Sequence, residues 1–318
     1  MHKTARHLTF IFTLITAMTV LHAQAAQDLV LTSDALPDSA SVDFRHKSWK
    51  LSHTGTQGMD TYGNYLVSLK ADGICQVYSF DGKTLTALTN DFHLGSYDPI
   101  NHANLASFSN QFYADGDKLP LVYISRTSWN RDEKGYSNYC FVERINPDRS
   151  TSTLVQTIIY KDWQGSGQWM IDRQNNYLYL WGNTAGNKKT GNKHYVVKFN
   201  IPAVSKAGAD TVYLGKEDAL ENYLWEDTYS QGAVGVIQGG CVYDDMMFLP
   251  TGYDTDDDPS VIWIWDLKNR TMVSQKNFSG ILSGELEDIS IRDNKIVIQT
   301  HNGYIYQLNY KKDAVKYW

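Results

Sequence analysis

The chain has 318 residues, 42% of them hydrophobic and 13% aromatic, enough to bury a large core, and it carries no low-complexity tract of the kind that stays disordered. A formal net charge of -6, a pI near 5.8 and 29 scattered Lys and Arg give no basic footprint for phosphate neutralisation, so no nucleic acid is expected as a partner.

At the N-terminus, Lys3, Arg6 and His7 precede an apolar run from Leu8 to Leu21, and Ala23-Gln24-Ala25 supplies the small residues of a signal-peptidase site. Residues 1–25 are therefore expected to be a cleaved export signal, residues 26–41 a linker and residues 42–318 one domain. The apolar run is 14 residues long, short of the roughly 20 that cross a bilayer. No later segment is more apolar, and no Cys sits near the cleavage point to carry a lipid, so no membrane span or anchor is expected after cleavage. The expected location is periplasmic or extracellular.

From residue 57 onward one pattern returns. A polar residue opens an apolar strand that ends in a turn-prone Asn or Asp seven positions later: Gln57 to Asn64, Gln238 to Asp245 and Glu287 to Asn294. Gln168 to Asn176 fits with one extra residue, and a fifth copy around His102-Ala103-Asn104 has an expanded turn. Each copy continues into a second strand and then into a stretch with alternate apolar residues, such as Val77-Tyr78-Ser79-Phe80, Val142-Glu143-Arg144-Ile145 and Ile262-Trp263-Ile264-Trp265. Turn signals follow, among them Asp81-Gly82 and Asn146-Pro147-Asp148, and a last strand is readable near Thr84–Leu88, Ser152–Ile159 and Thr271–Phe278. Long helical periodicity is absent.

Units of three to four antiparallel strands, repeated five times, are the sequence form of a β-propeller. The expected fold is all-β, a five-bladed propeller. The last unit lacks a clear fourth strand, while Val42-Asp43-Phe44-Arg45 has no unit of its own. The N-terminal strand is expected to complete the last blade and close the ring, removing an open sheet edge. Cys75 and Cys140 occupy matching places in neighbouring units and Cys241 sits in an inner-strand pattern, so free buried thiols are expected.

In this pattern, residues 42–310 resemble five-bladed propeller proteins as a class, on the strength of the Gln-Gly or Glu-Asp strand starts and the Val-Tyr-like strand ends. The resemblance implies an architecture and no particular activity, since such folds serve lectins, glycosidases, phosphatases and scaffolds. Five-bladed glycosidases place acids on the inner strands of several blades, and this chain has Gln in three of those places.

Residues at one repeat phase should meet at one mouth of the central channel. That phase holds Gln57, Gln168, Gln238 and Glu287, with His102 or Asn104 from the second blade, a set of donors and acceptors suited to a small polar ligand or glycan. An equally direct reading is that these groups satisfy buried backbone or ordered water. Trp163 and Trp169 flank Gln168 and are the candidates for stacking on a sugar; Trp129, Trp181 and Trp225 also fall in or beside polar loops. If the protein is an enzyme, a saccharide hydrolase or lyase, His102 with Glu287 or the acidic cluster Glu285, Glu287 and Asp288 are the acid/base candidates. Asp254, Asp256, Asp257 and Asp258 are candidates for calcium, although the Gly and distal Glu of an EF-hand are missing. Phosphate-binding, dinucleotide-binding and zinc-protease motifs are absent, so no cofactor is expected. A monomer is expected, and a protein-interaction scaffold remains a third reading. Residues 101–125, 127–139 and 206–229 are expected to be long loops, the last joining the third and fourth blades, and long loops on a rigid repeat often carry function.

Overall fold

The structure is a computed structural model that describes residues 29–31, 42–47, 55–127, 131–162, 167–183, 193–225, 236–309 and 315–317. The expected export signal, Trp129 and Trp163 lie outside the described residues.

Five small sheets form a ring, the arrangement of a five-bladed β-propeller. From the axis outward, blade 1 holds Thr56–Tyr62, Tyr65–Lys70, Ile74–Phe80 and Leu85–Ala87. Blade 2 holds Leu105–Phe108, Val122–Thr127, Asn138–Asn146 and Thr151–Tyr160. Blade 3 holds Gly167–Asp172, Tyr177–Asn183, His194–Asn200 and Glu221–Leu224. Blade 4 holds Cys241–Tyr243, Met246–Thr251, Val261–Asp266 and Thr271–Asn277. Blade 5 holds Leu286–Arg292, Lys295–Thr300, Tyr304–Asn309 and, as its outermost strand, Val42–Lys47. The N-terminal strand therefore closes the ring, pairing antiparallel with Tyr304–Asn309 across a bulge between Val42 and Phe44. Within the span expected as a linker, Leu29–Leu31 pairs with Val315–Tyr317.

The first hairpins need left-handed residues: Gly63 at φ 54° before Asn64 in blade 1 and Asn176 at 59° in blade 3. Asp244 and Asp245 stand at 53° and 58°, and Asp293 and Asn294 at 49° and 57°, the paired left-handed values of a tight hairpin that Asn and Asp tolerate. Beyond each turn, strand alternation divides the side chains between two neighbours. Met247 and Leu249 pack towards blade 3 while Met246 and Phe248 pack towards blade 5. The core is accordingly five apolar clusters, one at each junction between blades. Cys75 and Cys140 lie on equivalent third strands and, like Cys241, are free.

Segment 206–229 corrects the expectation of one long loop. Asp210–Leu214 reaches back to pair in parallel with Thr151–Tyr160 on the rim of blade 2, and Glu221–Leu224 then returns as the outer strand of blade 3. Among its described residues the excursion covers one sheet edge and completes another. Trp181 and Trp225 are buried rather than displayed, with Trp225 lying 4.4 Å from Trp265 between blades 3 and 4.

The axis itself is filled. Asp288, fully buried, accepts hydrogen bonds from the backbone N–H of Met59 at 2.7 Å, Ala106 at 3.0 Å, Gly240 at 2.9 Å and Ile289 at 2.9 Å. One carboxylate thus ties blades 1, 2 and 4 to blade 5. Burial pushes its carboxyl well above the usual range, and the four N–H donors pull the other way. Asp60 makes a second tie, accepting from Phe108 N–H at 2.6 Å and from the Ser290 hydroxyl, with Arg173 at 3.8 Å. The glycines after Gln57 and Gln238 are required by this closeness. A Cβ on Gly239 would lie 2.1 Å from the Asp288 carboxylate, and one on Gly58 would lie 2.8 Å from the Ala103 carbonyl oxygen.

Candidate functional site

Strand starts and the ends of the second strands meet at the same mouth of the ring, because the two strands are antiparallel: in blade 5, Leu286 lies opposite Thr300. Glu285 and Glu287 come from the start of the first strand and His301 from the hairpin after the second. His301 Nδ1 lies 2.8 Å from a Glu287 oxygen and 3.9 Å from a Glu285 oxygen. The Gly55 N–H donates to His301 Nε2 at 3.2 Å, which leaves the ring proton on Nδ1 to be donated to Glu287. Among the described residues, Glu285, Glu287 and His301 form the one group with metal-ligand character, their ligand atoms lying within 4.8 Å of one another.

The burial gradient across this group is steep. Glu287 is 1% exposed, Glu285 19% and His301 37% by side chain. Burial is the main cause that raises the Glu287 carboxyl to about 7; the hydrogen bond from His301 opposes it and the charge of Glu285 adds to it. Burial also raises Glu285, and the hydrogen bond to Glu287 raises His301.

Two of the expected glutamines join this group. Gln57, buried, sits beside Glu287 and lowers its carboxyl without reaching hydrogen-bond geometry at Oε2. Gln238 donates from Nε2 to Glu285 and, at 3.2 Å, to the Gly252 carbonyl. Two acceptors in this group are left over: Glu287 Oε2 and Gln57 Oε1 are buried and have no hydrogen-bond partner. His102, in the left-handed region at φ 57°, is open to solvent yet close enough to protein that desolvation, and then the charge of His301, lower its pKa. Tyr253 is 52% exposed; desolvation, then the charges of Glu285, Asp258 and Glu287, raise its pKa.

The other expected residues go elsewhere. Gln168 donates to Thr127 Oγ1 at 3.1 Å, bridging blades 3 and 2, and its Oε1 has no partner. Asn104 is buried, with its backbone N–H on Ser125 and its side-chain amide unpartnered. Trp169 corrects the stacking expectation: it follows Gln168 on a strand whose next side chain points into the blade junction, and it is fully buried near Phe199. Trp163 lies outside the described residues. Asp288, considered above as an acid/base candidate, is committed to the backbone at the axis. Asp254, Asp256, Asp257 and Asp258 line a hairpin closed by the Tyr253 and Thr255 N–H groups on the Asp258 carbonyl, and they do not gather into a ligand cluster.

His301 is the member of this group that the sequence pattern did not single out. A signal was present, since a hairpin that closes the second strand must stand at the mouth where the first strand begins.

No family model matches the chain and no curated relative matches it. Among solved structures it is similar to the glutaminyl cyclase of Myxococcus xanthus, at 11% identity and a TM-score of 0.46, covering 84% of this chain and 96% of that one. A structural genomics protein of unknown function from Bacteroides thetaiotaomicron is similar at 11% identity and a TM-score of 0.41, covering 88% and 75%. The computationally designed Ika8 protein is similar at 9% identity and a TM-score of 0.37, covering 85% and 99%.

Proposed function

We propose that the mouth formed by Glu285, Glu287, His301, Gln57 and Gln238 binds a small, hydroxyl-rich ligand, a glycan or glycan fragment, in an exported protein. The supporting observation is the pair of orphan acceptors, Glu287 Oε2 and Gln57 Oε1. A buried polar atom without a partner costs about 1–3 kcal/mol, and ligand hydroxyl donors would recover that loss. Tyr253 takes the stacking role expected of Trp169, its ring standing exposed beside the polar group. A glycan-array screen of the mature protein and of a Gln57→Ala/Gln238→Ala variant tests the reading. Binding by the parent that vanishes in a folded variant supports it; no binding by the folded parent shifts the protein to a scaffold role.

One observation favours an enzymatic extension. A carboxyl at about 7, hydrogen-bonded to an imidazole and beside a second carboxyl, is poised for proton transfer near neutral pH. In a saccharide hydrolase or lyase of this design, His301 fills the place expected of His102. Glu287→Gln would then abolish turnover while leaving saccharide binding within about threefold of the parent, the small cost expected when one neutral acceptor replaces a charged one.

A further inference from the structure

We propose that Glu285, Glu287 and His301, with Gln57 as a fourth ligand, form a binding site for one divalent transition-metal ion such as Zn²⁺ or Mn²⁺. The three titratable side chains offer ligand atoms within 4.8 Å of one another, with His301 Nδ1 at 2.8 Å from Glu287 and 3.9 Å from Glu285, so small side-chain shifts bring all three onto a single ion with ligand distances of roughly 2.0–2.2 Å. A hydrogen-bonded surface cluster would present the same residue types, so the decisive observation is a different one. Glu287 Oε2 and Gln57 Oε1 are both buried and both lack any hydrogen-bond partner. Gln57 neighbours Glu287, and native structures seldom leave two such acceptors buried without a partner. A cation satisfies both at once.

The donor set selects the ion. One imidazole nitrogen among carboxylate and amide oxygens suits Zn²⁺ and Mn²⁺ better than Ca²⁺ or Mg²⁺, which favour all-oxygen cages. The surroundings also hold the ligands in place. Gln238 donates to Glu285 and fixes its orientation, and the Thr56 hydroxyl donates to the His301 carbonyl at 3.0 Å. On binding, the ion displaces the His301 Nδ1 proton that is shared with Glu287 Oε1, and Glu287 meets the ion through both carboxylate oxygens. That proton moves to Nε2, and the 3.2 Å bond from Gly55 N–H is released. The exposed edge of His301 and the half-open Glu285 give an entry path from solvent.

The test uses the mature protein stripped with EDTA and titrated calorimetrically with Zn²⁺, Mn²⁺, Ca²⁺ and Mg²⁺ alone, with no saccharide present. One Zn²⁺ or Mn²⁺ per chain is expected, bound at least tenfold more tightly than Ca²⁺ or Mg²⁺. Glu285→Gln and His301→Asn should each weaken that binding about 100-fold, the upper end of what loss of one ligand or its support costs. Glu285→Gln is the safer variant because Glu285 is partly exposed and its loss leaves no buried charge behind. Absence of stoichiometric binding, or equal affinity in parent and Glu285→Gln, overturns the assignment. Saccharide binding in EDTA is measured separately. A protein that binds saccharide and no metal contradicts this inference alone, and one that binds metal and no saccharide contradicts only the glycan reading.

Discussion

Two buried carboxylates on adjacent residues do opposite jobs. Asp288 is saturated by four backbone N–H groups and holds the ring; Glu287, one residue earlier on the other face of the strand, retains an unpartnered oxygen and faces the mouth. Asp288→Asn exchanges one accepting oxygen for a donor and strands two of the four N–H groups, so unfolding in urea should show a loss of about 4 kcal/mol; a change under 1 kcal/mol would contradict the axial role. Gly239→Ala drives a Cβ against the same carboxylate and should cost about 3 kcal/mol, the upper range for overpacking. Glu287 predicts a pH dependence. Its carboxyl is raised to about 7 in the folded protein, against an ordinary value of 4.5. Between those two values the unfolded chain has lost the proton and the folded one keeps it, so stability falls as pH rises from 4.5 to 7. His301, raised above 6.5, acts in the same direction, its contribution present below 6.5 and lost as pH rises further. In EDTA, Glu287→Gln should therefore gain thermal stability relative to the parent as pH rises through that window, by up to about 3 kcal/mol; calorimetric scans at pH 4.5, 6 and 7.5 that show a constant offset would contradict it. Gln57, Gln238 and Glu287 were legible in the sequence because they share one repeat phase. His301 stands at the same mouth but on the hairpin after the second strand, outside that phase, and Trp169 was misplaced because it adjoins Gln168, whereas alternation along the inner strand turns the next side chain into the blade junction.

At the scale of elements, what was legible is what repeats. The turn residues mark the first hairpin of four blades because left-handed φ values are needed there, and alternation marks the third strands because each is shared between two apolar junctions. The excursion Asp210–Leu214 was illegible, since a single parallel strand added to another blade's rim leaves no period to detect. The N-terminal strand Val42–Lys47 carries the clearest test at this level. Its removal would bare the backbone of Tyr304–Asn309, an edge suited to pairing with a second chain. A protein truncated before residue 48 should form dimers or larger species by light scattering, whereas the parent should not; a truncated protein that stays monomeric with unchanged thermal unfolding would show that closure does not depend on this strand.

For the whole molecule, the ring has five apolar junctions and an axis tied by Asp288 and Asp60, so no blade is bounded by solvent on both faces. That construction keeps the inner strands close enough for backbone hydrogen bonds between blades, such as Gly58 N–H to the Ala103 carbonyl at 2.9 Å. It also confines open polar chemistry to an end of the axis, where strand starts and hairpins from blades 1, 4 and 5 converge on Glu285, Glu287, His301, Gln57 and Gln238. Among the described residues no helix is long and apolar enough to cross a membrane. The measurement that bears most directly on the account is a crystal structure of the mature protein with a saccharide selected on the array. Ligand hydroxyls within hydrogen-bond distance of Gln57 Oε1 and Glu287 Oε2 are expected. A saccharide bound on the outer strands or at a blade junction, with those two oxygens still unpartnered, would contradict it.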